Sequence, residues 1–158
     1  MKPLSPAEAL NKAAAYCTLC ERCTSEVSTK LTAWGITPAE QKKILDRLKS
    51  EGFIDETRYC RAFVNDKVRF NRWGRIKITA ALREKKLPKE DIEAAIEQID
   101  EVTYMQALNE VITTKRKELK GNDDYATRQK IVRHAASRGY EPSKIFQIIK
   151  CDEYEVDF

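Results

Sequence analysis

The stretch that decides the fold is VSTKLTAWGITPAEQKKIL, residues 27–45. Val27 and Leu31 stand four positions apart, as they would on one face of a helix. Gly35 tolerates the left-handed backbone conformation that ends a helix, and Pro38 suits the first turn of the next one. The stretch therefore predicts a helix, a tight turn and a second helix.

The same pattern returns twice along the chain. Residues 78–96 read ITAALREKKLPKEDIEAAI, and residues 131–149 read IVRHAASRGYEPSKIFQII. Superposing Lys86 and Gly139 on Gly35 gives periods of 51 and 53 residues, and a proline follows each mark within three positions. Because a module of about 50 residues buries too little apolar surface to fold reliably alone, we expect neighbouring modules to stack along a line.

Helical spacing covers nearly the whole chain, and no segment alternates as a strand would. The predicted helices span about 6–21, 24–34, 38–51, 55–72, 75–86, 89–99, 101–120, 125–138 and 142–150. The expected fold is all-α: three tandem three-helix modules in an elongated, curved array with no β-sheet. The expected boundaries are 1–52, 53–100 for a basic second module, and 101–158 for a third module with an acidic tail. The alternative is that chance matches between helices create the apparent repeat.

Glycine and proline are scarce, with five of each in 158 residues, and 34% of the chain is charged. This composition disfavours collagen, low-complexity linkers and glycine-rich phosphate loops. Each glycine is expected to cap the end of a helix, at Gly35, Gly52, Gly74, Gly121 and Gly139. The absence of a long apolar run or a secretion signal predicts a cytosolic protein whose five cysteines are thiols.

The net charge of +4 conceals an uneven distribution. Residues 1–57 hold eight basic and eight acidic side chains, whereas 58–89 hold eleven basic and two acidic ones. We call residues 58–89 the basic segment. Residues 90–110 then carry seven acidic residues and no basic one. A strongly basic middle predicts an acidic partner there, either nucleic acid or an acidic protein groove.

A ladder of arginines is predicted on the helix after Asp55. Arg58, Arg61, Arg69 and Arg72 fall within about 80° of arc if the whole helix turns 100° per residue. The adjacent, core-facing arc would carry Tyr59, Ala62, Phe63, Phe70 and Trp73. Guanidinium groups suit phosphate oxygens, although a basic helix face can also be merely solvated. Trp73 is read as a packing anchor rather than a platform for a base.

Catalytic and metal chemistry find little support in the sequence. Cys17, Cys20 and Cys23 could begin a zinc or iron–sulfur site, but helical spacing and the lack of a nearby fourth ligand favour core packing. His134 is the only histidine and has no evident nucleophile beside it in sequence. We expect no cofactor, no metal and no enzymatic activity.

Two central motifs, GFIDETRYCRAFV at 52–64 and RFNRWGRIKI at 69–78, resemble those of the RecX family of regulators of the bacterial recombinase RecA. GFIDETRYCRAFV at 52–64 is similar to the family's signature of glycine, apolar pair, acidic pair, arginine-tyrosine and alanine-phenylalanine. RFNRWGRIKI at 69–78 resembles its basic turn and arginine-isoleucine pair, and the likeness spans about residues 14–90. Cys23, Val27 and Glu56 depart from the family's usual serine, leucine and aspartate.

The resemblance implies a cytoplasmic, non-enzymatic modulator that lies in the groove of the RecA–single-strand DNA filament, and we expect the chain to be a monomer. It would limit the ATPase, coprotease and strand-exchange activities of RecA in DNA repair and the SOS response. The contact residues that it implies are Arg58, Arg61, Arg69, Arg72, Arg75, Lys77, Lys85 and Lys86. The alternative is a stand-alone helix-turn-helix DNA-binding protein, although acidic residues stand at the starts of its would-be recognition helices.

Overall fold

The computed structural model describes residues 2–120 and 124–149. These residues form nine α-helices, one π-helical turn and no β-strand. The helices are α1 Pro6–Leu19, α2 Thr24–Ala33, α3 Pro38–Ser50, α4 Glu56–Asp66, α5 Arg75–Glu84, α6 Lys89–Glu97, α7 Glu101–Leu119, α8 Tyr125–Ser137 and α9 Pro142–Ile148. The π-helical turn Lys67–Asn71 continues α4 directly. The all-α prediction is confirmed, and apart from the end of α4 the predicted boundaries lie within two residues of the observed ones.

The three repeat marks share one backbone geometry. Gly35, Lys86 and Gly139 all have positive φ angles, of 79°, 62° and 93°. The N–H that follows each mark donates to the carbonyl five residues before it: Ile36 to Leu31 at 3.0 Å, Leu87 to Leu82 at 3.3 Å and Tyr140 to Ala135 at 3.3 Å. This is the Schellman arrangement, in which a left-handed residue closes the end of a helix. The repeat is therefore present in the local fold and is not a chance alignment.

Polar side chains cap the N-termini of several helices. Ser5, Thr37, Asp100 and Asp124 each accept a hydrogen bond from the backbone N–H three residues on. These residues satisfy N–H groups that have no partner within the helix. At α2, whose N-cap is Cys23, the Glu26 carboxylate instead accepts the Cys23 N–H at 3.1 Å.

The described residues divide into two compact units. The first unit comprises residues 2–62 and 82–93, and the second comprises 63–81, 94–120 and 124–149. Residues of the predicted second module, 53–100, therefore fall in both units. In the first unit α1, α2 and α3 pack around a core of Ala9, Ala13, Val27, Leu31, Ile36, Ile44, Leu48 and Ile54.

The second unit is built on the long helix α7, which packs against α8, α9 and the π-helical turn. Tyr104 and Tyr140 are fully buried there, with ring centroids 5.3 Å apart. Leu108, Ile112 and Ile131 are buried in the same unit. This core sets the positions of the basic residues that precede and begin α5.

One glycine, Gly74, differs from the prediction that each caps a helix end. Gly74 lacks a positive φ angle; the left-handed residue after the π-helical turn is Arg72, with φ 51°. Gly74 is needed for a different reason, since a Cβ there would lie 2.2 Å from the Gly139 carbonyl carbon. The prediction of a left-handed cap at Gly74 is therefore wrong. Gly121 lies outside the described residues.

Candidate partner interface

The eight predicted contact residues are distributed over both units. Arg58 and Arg61 on α4 and Lys85 and Lys86 after α5 belong to the first unit. Arg69, Arg72, Arg75 and Lys77 belong to the second unit. Each group has its own electrostatic surroundings.

In the first unit Arg58 is held by its own chain. Its Nε lies 2.5 Å from Glu21 Oε1, and one of its terminal nitrogens donates to the Gly52 carbonyl at 3.0 Å. Asp55 adds a longer contact of 3.9 Å and also caps α4 by accepting the Arg58 N–H. Arg61, one turn later, is exposed and makes no ion pair with the described residues. Arg61 is therefore available to a partner in a way that Arg58 is not.

Lys85 and Lys86 are adjacent in sequence, but only Lys85 forms an ion pair within the described residues. Lys85 Nζ lies 3.5 Å from Glu26 Oε2. Burial favours the neutral form of Glu26, but the Cys23 N–H and the charge of Lys85 hold its pKa below the usual value. Lys86, the left-handed residue of the turn, is exposed and has no ion pair within the described part of the chain.

In the second unit Arg75 is a structural residue. Its guanidinium lies between Glu101 Oε2 at 2.7 Å and Glu141 Oε2 at 2.9 Å, and 4.0 Å above the Tyr104 ring. Its backbone N–H donates to the Tyr104 hydroxyl at 2.9 Å, and its side chain is only 21% exposed. These contacts join α5, α7 and the start of α9. Arg75 therefore stabilises the second unit and offers little surface to a partner.

The Arg72 side chain is likewise paired, with Nη2 2.5 Å from Glu110 Oε2 on α7. The backbone on either side of it is held by Arg138. Arg138 Nε donates to the Arg72 carbonyl at 3.0 Å, and a terminal nitrogen of the same guanidinium donates to the Asn71 carbonyl. Arg138, the C-cap residue of α8, thus holds the left-handed turn at Arg72 through these hydrogen bonds.

The remaining two predicted residues are Lys77 and Arg69, of which Lys77 lies beside an aromatic pair. Lys77 Nζ and Lys67 Nζ each lie 4.5 Å from the centroid of the half-buried Trp73 ring, which packs edge-on against Phe63. This geometry supports Trp73 as a packing anchor. Arg69 is exposed and forms no ion pair in the described residues; its charge contributes only weakly to lowering the pKa of Asp100.

The predicted arginine ladder changes at its C-terminal half. The expectation of one regular α-helix through Arg72 is wrong after Asp66, because the chain continues as a π-helical turn and then turns left-handed. The 100° rotation therefore does not apply to Arg69 and Arg72. The same change overturns the placement of Phe70 on the core-facing side, since its side chain is 75% exposed. Its exposure was missed because only an α-helical period was assumed.

Two RecX domain profiles match the sequence. The one described as "RecX, second three-helix domain" matches residues 55–96, and "RecX, third three-helix domain" matches 103–149. Regulatory protein RecX of Xanthomonas citri is 31% identical over 125 residues, which cover 79% of this chain and 75% of the relative. The chain belongs to the RecX family.

A second relative and a solved structure agree with membership of the RecX family. Regulatory protein RecX of Prosthecochloris aestuarii is 29% identical over 142 residues, covering 90% of this chain and 91% of the relative. The crystal structure of RecX from Lactobacillus salivarius has a TM-score of 0.82 at 18% identity, covering 92% of this chain and 94% of that one. At this identity the structural likeness supports the RecX fold of repeated helical domains.

The cysteines of this RecX chain show no metal-binding arrangement in the described residues. Cys23 and Cys60 are buried, Cys17 is half-buried and Cys20 is exposed. Burial raises the pKa of the Cys23 thiol and raises that of Cys60 to about 12. Such thiols are poor nucleophiles and poor metal ligands at neutral pH.

His134, on α8, is half-buried, and burial together with the charges of Lys115 and Arg138 holds its pKa below the usual value. No helix in the described part of this RecX chain is long and apolar enough to cross a membrane.

Proposed function

We propose that this chain binds a filament of RecA on single-stranded DNA and inhibits its strand-exchange, ATPase and coprotease activities. In this proposal it acts without catalysis, as a cytoplasmic monomer, in DNA repair, recombination and the SOS response. Family membership is the basis for the partner. The distribution of charge is the basis for the surface that contacts it.

The observation that carries the proposed surface is the presence of exposed cations that form no ion pair with any residue the structure describes. Arg61, Arg69 and Lys86 have no ion pair within the described residues, although they lie in the most basic part of the sequence. Such cations can neutralise phosphates or meet acidic side chains without first breaking an ion pair. We therefore assign them the main role in binding.

The other predicted contact residues take secondary roles in this proposal. Arg58, Arg72 and Lys85 would have to exchange an internal carboxylate for the partner, and Arg75 acts chiefly by holding the second unit together. Lys77 adds positive charge beside Trp73. The three modules 1–52, 53–100 and 101–158 are proposed as the repeating units of the chain, and the second, basic module carries this surface.

The test compares two triple variants that lose the same charge. Arg61→Ala/Arg69→Ala/Lys86→Ala removes three exposed cations of the basic segment that make no ion pair in the described residues. Lys2→Ala/Lys42→Ala/Lys49→Ala removes three exposed lysines of the neutral N-terminal region. We expect the first variant to lose most inhibition of RecA-driven strand exchange, and the second to inhibit like the wild type. Circular dichroism should show both to be as helical as the wild type.

Salt dependence gives a second measurement on the same variants. If the three residues contact single-strand phosphates, the slope of log affinity against log salt should fall by about 2 for the basic-segment variant. Equal inhibition by the two triple variants would refute the assignment of Arg61, Arg69 and Lys86 to the binding surface. A wild-type protein that bound duplex DNA with sequence preference and left RecA unaffected would refute the RecA proposal and favour the helix-turn-helix alternative.

A further inference from the structure

Phe70 presents an aromatic ring to solvent in the middle of the basic segment. Its side chain is 75% exposed, although residues of its size and polarity are usually buried. It lies in the π-helical turn Lys67–Asn71 that continues α4. The π-helical geometry is uncommon, and such turns often occur at functional sites because they redirect side chains.

The turn that carries Phe70 is held rigidly within the second unit. The Trp73 N–H donates to the Lys67 carbonyl at 2.9 Å, which closes the turn around Phe70. Arg138 donates to the carbonyls of Asn71 and Arg72 immediately after it. These hydrogen bonds hold the backbone of the turn in the conformation that exposes Phe70.

The surroundings of Phe70 along the turn are basic. Arg69 precedes it, is exposed and makes no ion pair with the described residues. Lys67 and Lys77 lie over the neighbouring Trp73 ring. An exposed ring next to an uncommitted guanidinium offers two different contacts, one for a flat apolar surface and one for an anion.

We propose that Phe70 stacks on a base of single-stranded DNA while Arg69 binds an adjacent phosphate. Every base has a π-face that can stack on an aromatic ring, and a neighbouring cation can follow the backbone. The positive charge favours this partner over an apolar pocket on a protein, because such a pocket would offer no anion for Arg69 to bind. The inference rests on the proposed function, in which the strand is the one carried by the RecA filament.

The experiment uses the full chain and a single-stranded oligonucleotide that contains 2-aminopurine, both free and coated with RecA. Stacking quenches 2-aminopurine fluorescence, and anisotropy gives the affinity. We expect the wild type to quench the probe. Phe70→Ala should abolish quenching and weaken binding about tenfold, the size expected for the loss of one stacked base. Phe70→Trp should keep both properties, whereas Phe70→Leu, which is apolar but not aromatic, should lose the quenching.

Leu19 supplies the matched control, because it is 79% exposed and lies on α1 in the first unit. Leu19→Ala should leave quenching and affinity unchanged. Absence of quenching by the wild type on both probes, or quenching that survives Phe70→Ala, would overturn the proposal. It would also be overturned if Phe70→Leu retained filament binding and Phe70→Ala lost it with no change on free DNA, since that pattern indicates a protein pocket. None of these results depends on whether the wild type inhibits strand exchange, which tests the proposed function separately.

Discussion

Gly74 and Gly139 lie with their backbones in direct contact within the second unit. A Cβ on Gly74 would approach the Gly139 carbonyl carbon to 2.2 Å. The Gly74 N–H donates to the Arg138 carbonyl at 2.8 Å, and the Ile76 N–H donates to the Gly139 carbonyl at 3.0 Å. Two backbone hydrogen bonds thus join the start of α5 to the turn that ends α8, and only a residue without a side chain fits at Gly74.

Gly74→Ala is therefore expected to be strongly destabilising. The atoms that an added methyl would meet belong to the backbone and cannot rotate away, so we expect a loss of about 3 kcal/mol or more in the free energy of unfolding. Urea unfolding followed by circular dichroism measures it. Gly52→Ala is the control, because its Cβ would meet nothing within 4 Å and only the φ of 79° is unfavourable. That strain should cost about 1–2 kcal/mol, and a Gly74→Ala loss no larger than the control's would contradict the steric argument.

Arg75 should contribute to stability, whereas Arg61 should contribute to binding. Removing the Arg75 side chain leaves Glu101 and Glu141 without their shared partner, so Arg75→Ala should lower the free energy of unfolding by about 2–3 kcal/mol. Arg75→Lys should recover only part of the lost free energy of unfolding, because a lysine cannot contact both carboxylates with a planar fork. Arg61→Ala, at an exposed position, should change stability by less than about 0.5 kcal/mol. Equal losses for Arg61→Ala and Arg75→Ala in urea titrations would refute this division of roles.

The helices and the repeat could be predicted because their signals are local. A left-handed residue at Gly35 or Gly139, with a proline three positions later, closes one helix and opens the next within a few residues. Lys86 was found only by superposition on the glycines, since a lysine is not a usual left-handed residue. The repeat thus supplied information that no single segment carried.

The pairing of the basic residues could not be predicted from the sequence. Arg75 meets Glu141, which is 66 positions away, and Arg58 meets Glu21, which is 37 positions away. Helical periodicity tells which residues share a face, but the choice of an ion-pair partner depends on how separate helices approach. For the same reason the sequence could not separate the unpaired Arg61 and Arg69 from their paired neighbours.

Acid should weaken the contacts of Glu101. Hydrogen bonds from Lys144 and Arg75 hold the pKa of Glu101 below its usual value of 4.5. The folded state therefore binds this proton less readily than the unfolded state does. The stabilisation is fully present above pH 4.5 and is lost as the pH falls through the lowered pKa.

Glu101→Gln should accordingly be less stable than the wild type at neutral pH, and the difference should shrink as the pH falls below about 4. Urea midpoints measured across this range test it. Glu97→Gln, at an exposed position on α6 without an ion pair in the described residues, is the control and should show no such convergence. A constant difference between Glu101→Gln and wild type at all pH values would show that the carboxylate charge is not what stabilises this contact.

The cysteines should react in the order of their burial. Cys20 is exposed and should be alkylated first, and the half-buried Cys17 should follow more slowly. Cys23 and Cys60 are buried, and burial raises the pKa of both, so they should react only when the protein unfolds. Mass spectrometry after timed treatment with iodoacetamide gives the order, in a Cys151→Ser background because Cys151 lies outside the described residues. A bound metal would protect Cys17, Cys20 and Cys23 together. Joint protection that a chelator abolishes would therefore indicate a metal site at these three cysteines.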